Sequence, residues 1–229
     1  MMKRLTSLAL GAALLVAGCS GGTDEQNTQA SKFKTLYDAY RASRQDDVAA
    51  PPQLTPALIN SLTVPALEVT IENRNATAFL IPFSERRDAG PGLLRTWRSA
   101  DDVQITLRDG VIAATRGIAY DIGSVDADTA VQAIQRRAPI SGDHTLYIKN
   151  GENGIDEIPL DCEMRTVGNE DLVIVGRSFP VVHLQENCTG WKGVVAFDYW
   201  VDRRDATVWQ TRQWSGPDLG YIRTRLLKK

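Results

Sequence analysis

The residues best equipped for chemistry are two neighbouring aspartates, two histidines, three cysteines and a concentration of tryptophan and tyrosine. Asp101 and Asp102 are adjacent, and adjacent strand residues point to opposite faces. As a pair they therefore suit the acid and nucleophile of a glycosidase poorly, and a solvated turn suits them better. His144 and His183 stand far apart with no G-x-S-x-G, H-E-x-x-H or similar motif around them, so they read as ordinary strand histidines. A histidine-built metal centre has little to draw on, and no metal or cofactor is expected. Gly151-Glu152-Asn153-Gly154 is turn chemistry, without the Lys-Ser/Thr pair and helix of a phosphate loop. No catalytic constellation emerges, and the chain is expected not to be an enzyme.

The aromatic residues are more suggestive. Trp191, Tyr199, Trp200, Trp209, Trp214 and Tyr221 crowd the C-terminal part of the chain, and Trp97 lies earlier, in Trp97-Arg98-Ser99-Ala100-Asp101. Indole faces beside arginine and aspartate can stack on sugars and hydrogen-bond them, although Trp and Tyr also suit strands and cores. The candidate glycan- or partner-binding set is Trp97, Arg98, Asp101, Arg116, Tyr199, Trp200, Trp214 and Tyr221.

The N-terminus carries the most specific signal. Lys3 and Arg4 precede an apolar run over residues 8–17, too short to span a bilayer comfortably, and Val16-Ala17-Gly18-Cys19 then sets small residues before a cysteine. This layout resembles the bacterial lipobox, in which the cysteine is acylated and becomes the mature N-terminus. Residues 1–18 are thus expected to be a signal peptide and residues 19–30 a polar tether anchored at Cys19. Ser20 in place of aspartate implies sorting to the outer membrane in the lipoproteins it resembles. With Cys19 lipidated, Cys162 and Cys188 remain as an even pair in an oxidising compartment. A disulfide between them is the expectation, with buried free thiols as the alternative.

The elements that must position these residues are mainly strands. A chain that is 43% apolar, with 26 basic against 28 acidic residues, has a real core but no positive field to recruit phosphates. No nucleic-acid partner is expected. Residues 31–65 read as a helix over 31–44, with Phe33, Leu36, Tyr37 and Tyr40 on one stripe, followed by a proline-rich connection with a helical turn near Leu58. From residue 66 to 229 alternating apolar positions recur. Asp109-Gly110 between two such runs is a strong hairpin signal. One helix interrupts them over residues 126–137. About ten strands without a βαβ alternation predict a mostly β domain, an antiparallel meander closed as a barrel or sandwich.

Several of these segments resemble the YjbF/GfcB family of lipoproteins, associated with exopolysaccharide and group 4 capsule. They are Trp97-Arg98-Ser99-Ala100-Asp101, Leu107-Arg108-Asp109-Gly110-Val111, Ala114-Thr115-Arg116-Gly117 with Asp121, Val175-Gly176-Arg177-Ser178-Phe179, Tyr199-Trp200, and Arg212-Gln213-Trp214-Ser215 running into Gly220-Tyr221. The resemblance implies a mostly β lipoprotein of the outer membrane facing the periplasm. It also implies action with other proteins of a polysaccharide export system, and it assigns no chemical role to these motifs. A non-catalytic accessory factor is the leading expectation; a glycan-binding or glycan-modifying protein and an interaction module of an envelope complex are the alternatives.

Overall fold

A computed structural model describes residues 54–229 apart from Asn153 and Trp191. The expected signal peptide, Cys19, the tether and the helix over 31–44 lie outside the described residues. Helix α1 (Pro56–Ser61) opens the described chain, its first turn capped by the Thr55 hydroxyl, which accepts from Leu58 N at 3.2 Å.

Twelve strands follow. They are β1 (Ala66–Ile71), β2 (Ala76–Arg86), β3 (Leu94–Arg98), β4 (Gln104–Arg108), β5 (Val111–Arg116), β6 (Ile122–Asp126), β7 (Gly142–Lys149), β8 (Ile155–Ile174), β9 (Arg177–Gly190), β10 (Gly193–Asp202), β11 (Val208–Trp214) and β12 (Tyr221–Lys228). Consecutive strands pair antiparallel, except that β5 and β6 share no ladder, and β12 returns to pair with β1. The result is an up-and-down meander closed into a barrel with one seam. The predicted class holds, with β3 and β6 added to the expected strands. Both are short, and neither Leu94–Arg98 nor Ile122–Asp126 alternates in apolar character, so periodicity passes over them.

The seam is closed by side chains. Asp121 accepts from Thr115 Oγ1 at 2.9 Å, Gly117 N at 3.0 Å and Ile118 N at 3.0 Å, while Thr115 Oγ1 accepts from Ile122 N at 2.9 Å. A carboxylate and a hydroxyl here do the work that ladder hydrogen bonds do elsewhere.

The predicted Asp109-Gly110 hairpin joins β4 to β5, with positive φ at both residues as a two-residue hairpin turn requires. Gly110 is also constrained by space, since a Cβ there would meet Val208 Cγ2 at 2.6 Å. Helix α2 (Asp128–Arg136) buries Ala130, Val131, Ala133 and Ile134 against a cluster that includes Leu146, Leu184, Phe197 and Tyr199. A second cluster gathers Leu67, Trp97, Ile105 and Ile222 with Ile59 of α1 and Phe179 near the β8–β9 tip. Gln213, almost wholly buried, links β11 to the β4–β5 hairpin: its Nε2 donates to Gly110 O and its Oε1 accepts from Ile112 N, each at 2.9 Å.

Candidate functional site

Strand register decides which side chains meet. On β10, Phe197, Tyr199 and Val201 are buried in the core, so Asp198 and Trp200 take the opposite face. Register then extends that face sideways. Asp198 lies opposite Gln185 and Arg212, Gln185 opposite Arg165, Arg212 opposite Arg223, and Arg223 opposite Thr70. A polar row therefore crosses β1 and β8–β12. Two residues along, Arg225, Gln210, Trp200 and His183 form a parallel row.

The rows are tied internally. Asp198 Oδ1 accepts from His183 Nε2 at 2.8 Å and from Gln185 Nε2 at 2.9 Å. Burial pushes the Asp198 carboxyl up, but those hydrogen bonds outweigh it and hold the group below its ordinary value. Trp200 stacks on His183 with ring centroids 4.4 Å apart, and its Nε1 donates to Glu170 at 2.6 Å. Arg212 pairs with Glu72 at 2.8 Å and lies 3.5 Å over the Tyr221 ring; Arg225 pairs with Glu68 at 2.6 Å. Arg223 Nε is buried without a hydrogen-bond partner among the described residues.

The eight sequence candidates do not form one surface. Trp200, Trp214 and Tyr221 fall on the face just described, with Trp214 and Tyr221 in register. Tyr199 faces the core, fully buried, and donates to Glu186 at 3.1 Å. Glu186 also lies 3.2 Å from His144, which stacks on Phe197. Burial, reinforced by Glu186, pushes the Tyr199 hydroxyl well above its usual range. Trp97 is buried in the core, with the Arg95 guanidinium 5.5 Å from its ring centre. Arg98 lies over Phe83 at 4.1 Å and 3.6 Å from Asp102. Asp101 accepts from Ser99 Oγ in the exposed turn after β3, and Arg116 is exposed at the end of β5. Tyr199 and Trp200 are neighbours in sequence and back to back in space, which strand geometry dictates.

Sequence reasoning missed His183, Gln185, Asp198, Arg212 and Arg223. Their signal was available in part, because His183 and Gln185 alternate with buried Val182, Leu184 and Glu186. Which strands stand side by side, and so which polar positions meet, needed the topology.

Cys162 and Cys188 are register partners on β8 and β9, joined by a disulfide with S–S 2.01 Å. The cluster His144, Cys162 and Glu186 has metal-ligating residue types within 4.8 Å of one another. Its sulfur is already bonded to Cys188. A separate cavity of about 550 Å³ opens at the barrel end where Trp97, Asp109 and Val208 converge.

Residues 27–227 match the family described as group 4 capsule polysaccharide lipoprotein GfcB/YjbF. Among curated proteins none matches this chain significantly. Among solved structures, the hypothetical lipoprotein YmcC from Escherichia coli (K12) is 20% identical with a TM-score of 0.66, covering 84% of this chain and 95% of that one. An exported protein with a YmcC-like fold from Bacteroides fragilis NCTC 9343 is 10% identical with a TM-score of 0.34, covering 72% of this chain and 93% of that one. The likeness to YmcC shows a shared fold, and the sequence match spans nearly the whole barrel together with its N-terminal approach. This chain belongs to the GfcB/YjbF family of group 4 capsule polysaccharide lipoproteins.

Proposed function

We propose that this protein is a non-catalytic accessory factor in the assembly or secretion of capsule or exopolysaccharide. It is acylated at Cys19, held on the periplasmic face of the outer membrane, and acts with other proteins of the export system. The observation that carries the reading is the family match over residues 27–227. The site chemistry supports it. The face across β8–β12 holds Arg165, Arg212, Arg223 and Arg225 against Glu68, Glu72, Glu170 and Asp198. Those charges balance, and each of the four carboxylates already has a partner within the protein. That suits contact through hydrogen bonds and aromatic rings more than Coulomb attraction, and leaves none of these four carboxylates as an unengaged acid or base.

The test is exported and cell-bound polysaccharide in a clean deletion strain under inducing conditions, with and without the gene restored. A loss rescued by the gene is the expected result. Unchanged amount and composition would overturn the reading. Purified protein that shortens or changes the substitution of the cell's own polysaccharide would replace it with an enzymatic one.

A further inference from the structure

The barrel-end cavity has the marks of a built site. Its volume of about 550 Å³ lies in the usual range for small-molecule pockets, and barrel mouths are a favoured place for them. Leu67, Trp97 and Leu226 line its inner part and are buried in the apolar core. Charged and polar groups converge on it from separate elements: Asp109 from the β4–β5 turn, Arg137 from the end of α2, Asp205 and Thr207 from the β10–β11 turn, and Lys229 beyond β12.

Backbone conformation singles out the same place. Seven non-glycine residues among those described have positive φ, and three of them, Asp109 (45°), Arg137 (54°) and Ala206 (57°), line this cavity. The hairpin turn accounts for Asp109, while at Arg137 and Ala206 left-handed backbone disfavours the side chain. Arg137 takes the left-handed position ending α2, which glycine usually occupies.

The charged groups there are engaged but for one. Asp205 pairs with Lys229 at 2.6 Å, and Arg95 with Glu85 at 2.5 Å. Asp109 accepts from Leu93 N at 3.0 Å and from Gln135 Nε2 at 2.7 Å. The Arg137 guanidinium has no hydrogen-bond or ion-pair partner among the described residues. A rim of carboxylate, amide and hydroxyl groups suits sugar hydroxyls, apolar residues suit the less polar face of a pyranose ring, and an unmatched guanidinium suits a carboxylate.

We propose that this cavity binds one acidic pyranose unit, a sugar acid whose carboxylate meets Arg137. The choice of a sugar acid over other anions rests on the polysaccharide reading above; the cavity and its unmatched cation do not.

The test is calorimetric titration of the full chain with D-glucuronate, D-glucose and acetate. D-glucuronate is expected to bind about tenfold or more tighter than either of the others, a charge-assisted contact being the difference. Arg137→Gly removes the guanidinium while suiting the left-handed backbone, so it should erase that preference and leave thermal unfolding unchanged or higher. No binding of D-glucuronate, acetate binding as tightly, or a preference that survives Arg137→Gly would each overturn the proposal. If a deletion strain loses polysaccharide while D-glucuronate fails to bind, this inference falls alone. If D-glucuronate binds through Arg137 while export is unaffected, the proposed function falls alone.

Discussion

The Asp202 carboxylate holds several groups at once. Its Oδ1 accepts from Arg204 N at 2.8 Å and Arg204 Nε at 3.1 Å, and its Oδ2 from Arg204 Nη2 at 3.0 Å and Trp209 Nε1 at 2.9 Å. The Arg204 hydrogen bonds, aided by Trp209 and opposed by burial, hold its carboxyl well below the usual carboxylate range. A depressed folded pKa means that the unfolded chain binds the proton first. The stabilisation is therefore complete above an unfolded value of about 3.9 and is lost as pH falls below it. Asp202→Asn should lower the melting temperature at neutral pH and make its decline below about pH 4 shallower; thermal unfolding across pH 2–7 measures both. Asp88, Asp198 and Asp205 are also depressed, so the variant keeps part of the decline. At this scale the sequence is least legible. Nothing in the spacing of Asp202-Arg203-Arg204-Asp205 marks its first residue as buried and the other three as exposed.

Strands and hairpins were more readable than side-chain partners. The Asp109-Gly110 hairpin and the α2 stripe could be taken directly from spacing, because local turn chemistry and period decide them. The seam between β5 and β6 could not, since Asp121 and Thr115 replace a ladder there and the sequence offers no alternation to mark it. Aromatic clustering in the sequence overstated the site for a related reason: Tyr199 and Trp200 share a strand but not a face. The disulfide is an element-scale tie between β8 and β9, closing a separation of 26 residues. Loop-closure entropy makes it worth about 3.5 kcal/mol. Urea unfolding with reductant present should lose about that much stability relative to the oxidised protein. A Cys162→Ala, Cys188→Ala double variant should match the reduced value and ignore reductant. An oxidised protein whose midpoint does not respond to reductant would contradict the bond.

For the whole molecule, anchoring and fold are separate matters. Cys19→Ala should release the mature domain, or leave an uncleaved precursor in the inner membrane, while the parent fractionates with the outer membrane. A variant that still sediments with the outer membrane would show that acylation is not what localises the protein. The barrel itself should be unaffected, since its ladders run from Ala66 to Lys228. Its closure pairs Glu68 with Arg225, 157 residues apart, so the two halves of that ladder are made at opposite ends of synthesis. A chain emerging amino end first displays the unpaired edge of β1 throughout its passage into the envelope, and such an edge is a template for unwanted partners. Only the arrival of β12 removes it. The order of synthesis thus makes β12 the strand on which closure waits: a chain cut short before it leaves β1 and β11 with open edges, beyond the two that side chains cover at the β5–β6 seam.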